Sequence, residues 1–431
     1  MKKVLVIGGL DVSGGAGIGL DERMLASIGH HVSLIPTAIV AENSEKVSNI
    51  YPVPEEVLEG TFESVLQDIR PDAVKIGMLY STKIGECVLR NIPSGIPVVM
   101  DPVLGSSTGT ELSKPDLPEL LREKFFYKTT MVTPNLPEAR VLLGMSQDDA
   151  PVEEILKVIK FMGPKHVLLK GGHMDDEMSI DYLFDGIAII ELKAPRLDVK
   201  ARGTGCALSS LIAGYLAEGS DVENAVRKAK NQLYCILTRA QSIGGGMPFL
   251  GLPQPRNEVL EELESASVKL VETIRPAFFP QVGINFGYAA ENAAGHEDVA
   301  ALDARFMLKN GKPYKAGSAA FGASKHIASV ILAARTHDPS IRSACNIRYS
   351  KESIERLNIH ELEVAQFSRQ AEPRDKKTST MEWGTLEAIK NHGSVPDAIY
   401  DHGGPGKEPM IRLLGKDPEE VIQKLKDAMR G

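Results

Sequence analysis

Cysteine is scarce in this 431-residue chain: there are four, at 87, 206, 235 and 345, and no C-x-x-C. That spacing excludes a zinc-finger or disulfide-stapled scaffold and fits reduced thiols, so a cytoplasmic protein is expected. No apolar run approaches the ~20 residues of a membrane span. Positive charge is not in excess either. The net charge of −8 argues against a general nucleic-acid or membrane-surface binder. The usual nucleotide signatures are missing as well. GGAGIG (14–19) lacks the G-x-G-x-x-G spacing, no P-loop exists, and GPGKE (404–408) lacks the hydroxyl residue that would complete one. The opening MKKVLVIGGLD starts like a secretory leader. Its apolar run stops at Gly8 and Gly9, and Asp11 follows, so it reads as a first strand.

What remains is an ordinary globular composition, 43% hydrophobic and 25% charged, long enough for two or three domains. Residues 1–242 alternate short apolar runs with helical periodicity. VLVI (4–7), AVKI (73–76), PVVM (97–100), TMVT (130–133) and HVLLK (166–170) read as strands; 55–69, 153–162, 206–218 and 221–241 read as helices. Ser220 to Glu223 has the capping-box pattern. This alternation predicts an α/β fold, a mainly parallel sheet with helices on both faces. Glycines and prolines over 243–257 mark a linker. A second α/β unit, 258–431, opens with EVLEELESASVKLVETI, is apolar-periodic around 324–334, and closes with PEEVIQKLKDAMR. The polar stretch 370–381 reads as a mobile loop.

The most informative stretch is RGTGCALSSLIAG, 202–214. Gly203, Thr204 and Gly205 open an apolar helix, so backbone N–H groups and the helix dipole are offered to an anion. Cys206 sits in the first turn, where a lowered thiol pKa would make a thiolate available as a base. Ligands of open α/β sheets bind beyond the carboxyl ends of the strands, and those ends are polar here. Asp101 follows PVVM, Asn135 and Glu138 follow TMVT, and Lys170 closes HVLLK. Carboxylates such as Asp101 and Glu138 suit Mg²⁺, and a lysine suits a phosphate. His30, His31 and His173 have no evident partners and read as loop residues. Phosphoryl transfer is the chemistry these residues point to.

DVSGGAGI (11–18), TAIVAEN (37–43), KIGMLYS (75–81), DPVLGSSTG (101–109), TPNLPEA (133–139), KGGH (170–173) and GTGC (203–206) together resemble the hydroxymethylpyrimidine/phosphomethylpyrimidine kinases of thiamine synthesis. The resemblance spans nearly all of 1–240. It implies a ribokinase-like αβα sandwich, a homodimer through the kinase domain, and two successive phosphorylations of the pyrimidine. Gly9, Ala16, Asp21, Val40, Glu42, Met78 and Val103 would surround the pyrimidine. Asp101, Asn135, Glu138 and Lys170 would surround ATP and Mg²⁺, and Gly203–Gly205 would form the anion hole. Cys206 takes the place of the aspartate base usual in the superfamily, and Glu42 stands where the family usually has glutamine. A carboxylate accepts from the pyrimidine 4-amino group but does not donate.

In the second unit Arg305, Arg348 and Arg369, with Lys407 after a glycine turn, fit a ligand bearing two phosphates. DVAALDARF, FGASKHIA, CNIRYS, FSRQAEP, STMEWG and IYDHGGPGKEP resemble the archaeal type of thiamine-phosphate synthase domain, over about 265–420. That resemblance makes Arg305 and His326 catalytic and Arg348, Arg369 and Lys407 phosphate binders. It implies that pyrimidine diphosphate condenses with thiazole phosphate. Two alternatives are a kinase carrying a non-catalytic thiamine-phosphate sensor, and a pyridoxal-type kinase.

Overall fold

A strand that is apolar on both faces needs cover on both sides, and KVLVIGGLD is such a strand. In the computed structural model it is the buried β1 (Lys3–Asp11). The structure describes residues 1–106, 109–145, 150–171, 178–373 and 378–430. They divide into two units, Met1–Pro253 and Gln254–Gly431.

The first unit continues with β2 (His31–Glu42), β3 (Val47–Pro52), β4 (Ala73–Ile76), β5 (Val98–Met100), β6 (Met131–Val132), β7 (His166–Leu169), β8 (Met178–Phe184) and β9 (Ile189–Pro195). They form one sheet in the order β3-β2-β1-β4-β5-β6-β7-β8-β9. From β2 to β7 neighbours are parallel; β3, β8 and β9 add antiparallel edges. Alternation along β1 divides the core. Leu5 and Ile7 pack with Phe62, Val88 and Phe125 on one face; Val4 and Val6 pack with Met24, Leu211 and Ile212 on the other. The helix Thr204–Glu218 is apolar all round, and Ala207 through Ala217 are buried. Burial of a leucine-sized side chain there contributes roughly 1.5–3 kcal/mol. The result is the αβα sandwich expected from the alternation.

Two irregularities mark the carboxyl ends of the strands. Register shifts fall between Gly8 and Gly9 in β1 and between Ala41 and Glu42 in β2. Such bulges re-aim side chains, and these two lie where the ligand is expected. The helix Val222–Leu237 starts one residue later than the capping pattern implies: Asp221, not Ser220, is the N-cap and accepts from Asn224 N–H at 2.9 Å. Aspartate in the extended conformation serves that position as well as serine. Within the stretch read as a linker, Pro248 and Phe249 hydrogen-bond to Arg202 and Gln241 of the first unit.

The second unit contains β10 (Phe286–Ala289), β11 (Val299–Leu302), β12 (Phe306–Lys309), β13 (Lys312–Lys315), β14 (Ala319–Phe321), β15 (Ser343–Arg348), β16 (Val364–Gln366), β17 (Ala398–Asp401) and β18 (Met410–Gly415). Seven form a sheet ordered β14-β11-β10-β15-β18-β17-β16, antiparallel except for β16 with β17. One face packs on the helices Arg256–Thr273 and Pro418–Met429 through Leu263, Leu270, Val421 and Leu425. The other packs on Lys325–Arg335 and Thr380–His392 through Ile327, Ile331 and Ile389. This unit too is α/β with both sheet faces covered. Four residues of the polar stretch 370–381 lie outside the described residues.

Candidate functional site

In the first unit the polar strand ends converge. Asp101, just past β5, is buried, and its Oδ1 accepts from Lys170 Nζ at 2.6 Å and Thr133 Oγ1 at 3.1 Å. Lys170 also lies 3.7 Å from Glu138 Oε2. Asn135 and Glu138 cap the helix Leu136–Leu143 reciprocally: Glu138 N–H donates to Asn135 Oδ1, and Asn135 N–H to Glu138 Oε2, each at 2.8 Å. That capping box fixes the Glu138 carboxylate beside Lys170. Burial pushes the Glu138 carboxyl up to about 7, with Lys170 opposing and Asp101 adding to the rise. Burial works against the Lys170 ammonium, but Asp101 and Glu138 outweigh it and hold its pKa above the usual lysine value.

The helix Thr204–Glu218 starts at the same place. Gly203 is its N-cap at φ +77, and a Cβ there would overlap Leu20 and the Gly15 carbonyl, so only glycine fits. A Cβ on Gly205 would lie 2.9 Å from Lys170 Nζ and 3.5 Å from Asp101 Oδ2. The N-terminal amides of the helix therefore adjoin the Asp101–Lys170 pair, with no side-chain cap on them. Uncapped amides at a helix start are chemically suited to an anion, and here two hard carboxylates lie beside them. Gly9, Val40 and Met78 also meet: a Cβ on Gly9 would be 2.8 Å from Met78 Sδ and 3.4 Å from Val40 Cγ2. Val40 and Met78 share a small apolar cluster with Leu112 and, at its edge, Val103. Ala16 is the N-cap of the helix Gly17–Ser27, its Cα next to Gly203.

Three expectations are corrected. Cys206 is partly buried and is not poised as a thiolate: burial pushes its thiol up to about 12. Lys75 and the Gly17 N–H donated to the sulfur oppose that rise, while Asp21 and Asp101 reinforce it. His30 is not a loop residue without partners. It is buried, with Nε2 3.1 Å from the Gly214 carbonyl and 3.6 Å from Glu218, and His31 begins β2. His173 lies outside the described residues.

Two buried ion clusters were not visible in the sequence. Asp21 is paired through Oδ2 with Lys75 at 2.5 Å, both side chains at most 1% exposed. Arg202, wholly buried, holds Glu42 at 2.6 Å and Asp11 at 3.0 Å, under the Phe249 ring. Glu42 is thus committed to a guanidinium, and burial still raises its pKa against the pull of Arg202. Arg202 and Lys75 stand inside motifs quoted above, RGTGC and KIGMLYS. Only their partners, far away in the chain, reveal their roles.

In the second unit a cavity of about 440 Å³ is lined by Arg305, His326, Arg369, Lys407 and Arg412, with Asn346, Thr380 and Glu408. Arg305 donates to the Val282 carbonyl at 2.6 Å. Asp401, behind the wall, accepts from Arg369 Nε at 2.6 Å and from Arg412 Nη2 at 2.8 Å. His326 is exposed in the first turn of the helix Lys325–Arg335, not packed in the core. Partial burial and then Arg305, Lys407, Arg412 and Arg369 hold its pKa below the usual histidine value, which favours the neutral ring. Arg348 is exposed at the end of β15 and does not line this cavity. A cavity with four cations selects a polyanion. Asn346, Asp401 and Arg412 were missed. Arg412 lies in the strand-like run MIRLLG, where one arginine among apolar residues is the only available signal.

Residues 11–249 match the family model for phosphomethylpyrimidine kinase, and residues 262–427 that for thiamine-phosphate synthase ThiN. The chain is 33% identical over 428 residues to the bifunctional thiamine biosynthesis protein ThiDN of Methanocaldococcus jannaschii, covering 98% of this chain and 97% of that one. It is 35% identical over 252 residues to the hydroxymethylpyrimidine/phosphomethylpyrimidine kinase of Aquifex aeolicus, covering 57% of this chain and 98% of the relative. Among solved structures, an ADP complex of Bacillus subtilis pyridoxal kinase is similar at 29% identity and a TM-score of 0.55, covering 58% of this chain and 97% of that one. Uncapped helix-start amides beside two carboxylates in one unit, and a cavity ringed by cations in the other, thus lie in a chain that belongs to the phosphomethylpyrimidine kinase family and carries a thiamine-phosphate synthase domain behind the kinase.

Proposed function

We propose that the chain makes thiamine monophosphate in three steps: two ATP-dependent phosphorylations of hydroxymethylpyrimidine and a condensation with thiazole phosphate. The observation that carries this reading is one chain, alike over 98% of its length to a bifunctional relative, with uncapped helix-start amides near Asp101 and Lys170 in one unit and a cation-lined cavity in the other. In the kinase unit Lys170, Asn135 and the amides of Gly203, Thr204 and Gly205 would take the ATP phosphates. Asp101 and Glu138 offer hard oxygens only, which suits Mg²⁺ completed by phosphate oxygens; when bound it would offset charge on the transferred phosphoryl group.

The pyrimidine would lie on Gly9, Val40, Met78 and Val103, near Ala16. Asp21 would act there from below, through Lys75. In the first step the alcohol oxygen attacks the γ-phosphorus, the bond to ADP breaks, and the hydroxyl proton must leave. Cys206 would accept it only in its minor thiolate form, becoming the thiol, and Lys75 lowers the cost of charge on its sulfur. The second acceptor, a phosphate oxygen, is already anionic and needs no base.

In the synthase unit the bond from the pyrimidine methylene to the diphosphate breaks and the thiazole nitrogen takes the carbon. Pyrophosphate departs with the bonding pair, and Arg305, Arg369 and Lys407 stabilise that charge. His326 lines the same cavity and would lie beside the departing group. Arg348 would have to bind phosphate outside the cavity. A homodimer through the kinase unit belongs to the same reading. No described helix is long and apolar enough to cross a membrane.

The likeness to a pyridoxal kinase favours a second reading, in which pyridoxal is an alternative acceptor for the kinase. The purified chain with ATP and Mg²⁺ should give kcat/KM for hydroxymethylpyrimidine well above that for pyridoxal. It should then accumulate pyrimidine diphosphate until thiazole phosphate is added. A preference for pyridoxal would replace the first reading with the second.

A further inference from the structure

Arg412 has no place in the roles given so far. Its strand neighbours Ile411 and Leu413 enter the apolar core of the second unit. Alternation along β18 therefore sends Arg412 to the opposite face, where it lines the cation-ringed cavity. It is 3% exposed, whereas Lys407 is exposed and Arg305 and Arg369 are only partly covered. Its Nη2 donates to Asp401, but its Nη1 is almost wholly covered at the cavity wall and has no partner among the described residues.

A buried guanidinium with an unmet N–H is costly. Apolar side chains of similar volume commonly serve stability as well as or better than a buried ion pair. Phe367, 5.5 Å from the guanidinium, would accept such a neighbour.

Asp401 shows how the arginine is held. It is fully buried and accepts from Arg369 Nε and Nη2 at 2.6 and 3.2 Å, from Gly403 N–H at 2.8 Å and from Arg412 Nη2 at 2.8 Å. One carboxylate thus orients two guanidiniums and cancels only one of their charges. We propose that Arg412 is a diphosphate ligand, donating Nη1–H to the departing pyrophosphate from the floor of the cavity, and that Asp401 is the positioning residue that sets Arg412 and Arg369 as a pair. This rests on the synthase reading of the cavity. Burial gives Arg412 a property the rim cations lack, because salt screens a buried charge far less than an exposed one.

The test is calorimetric binding of inorganic pyrophosphate to the full chain at low and high ionic strength. The variants are Arg412→Lys, Arg412→Met, Asp401→Asn and Lys407→Ala. Loss of a charge-assisted hydrogen bond predicts that Arg412→Met weakens binding about 10- to 100-fold. That loss should persist at high salt, whereas the Lys407→Ala deficit should shrink there. Arg412→Lys keeps the charge beside Asp401 and should recover part of the affinity, which covers the case in which the methionine variant fails to fold. Asp401→Asn combined with Arg412→Met should add little to the single losses. Cooperatively unfolding Arg412 variants that bind pyrophosphate like the wild type would overturn the assignment. A wild-type chain that binds none would instead overturn the synthase reading of the cavity.

Discussion

Replacement of Cys206 should separate the two phosphorylations. The structure puts the thiol at about 12, so at pH 7 roughly one molecule in 10⁵ carries the thiolate. A base so rarely ionised limits the alcohol step in proportion to its thiolate fraction. The first phosphorylation should therefore rise close to tenfold per pH unit from about 7 to 10, until another step takes over. The second, whose acceptor oxygen is already charged, should stay nearly flat. Cys206→Ala should slow the alcohol step by about 10²–10³ and abolish its pH slope, in line with what a positioned base contributes. It should change the monophosphate step only a few-fold. Lys75→Met should lower the alcohol rate at every pH without changing its slope, because the ammonium that favours sulfur charge is gone. Initial rates on each acceptor, followed by ADP release between pH 6 and 10, give the answer. Equal loss in both steps, or an alcohol rate independent of pH in the wild type, would refute the reasoning and leave the cysteine a structural role.

Glu138, at about 7, is protonated below neutrality and then a poor cation ligand. The Mg²⁺ concentration for half-maximal kinase rate should thus climb about tenfold per pH unit below 7 and level off above it, and Glu138→Gln should remove that pH dependence. Arg202→Met leaves Asp11 and Glu42 buried without their counter-ion; about 3–5 kcal/mol of stability should be lost, read as a thermal midpoint lowered by roughly 6–20 °C. Glu42→Gln keeps an acceptor for Arg202 and should cost under about 1.5 kcal/mol, while shifting the ratio of kcat/KM between alcohol and monophosphate. Gly203→Ala forces a Cβ onto Leu20 and the Gly15 carbonyl, so both phosphorylations should fall together, with pyrophosphate binding by the second unit unaffected.

Features carried by local chemistry were readable before any coordinates. Asp101, Asn135, Glu138 and Lys170 are polar residues directly after apolar runs, and a parallel sheet brings all such ends to one edge. The Gly-Thr-Gly turn followed by an apolar helix needs only its own residues to be recognised. What stayed hidden depends on partners far away in the chain. Arg202 meets Asp11 from 191 residues away, and Lys75 meets Asp21 from 54. The Arg202 pairing decides that Glu42 faces a guanidinium, and burial, helped by Asp21 and opposed by Lys75, decides that the Cys206 thiol is raised rather than lowered. Helix-terminus reasoning alone gave the wrong sign for Cys206, because desolvation there outweighs the groups that favour the thiolate, Lys75 and the Gly17 N–H. In the second unit the cations lie on separate loops and strands. Their convergence, the exclusion of Arg348 and the inclusion of Arg412 are consequences of a mostly antiparallel sheet whose register no local signal sets.

The most direct test of the whole account is a phosphorus NMR time course on the purified chain with hydroxymethylpyrimidine, ATP, Mg²⁺ and thiazole phosphate. The account predicts pyrimidine monophosphate and then diphosphate as transients, and two ADP and one pyrophosphate for each thiamine monophosphate formed. A reaction that stops at pyrimidine diphosphate, with thiazole phosphate unconsumed, would contradict it.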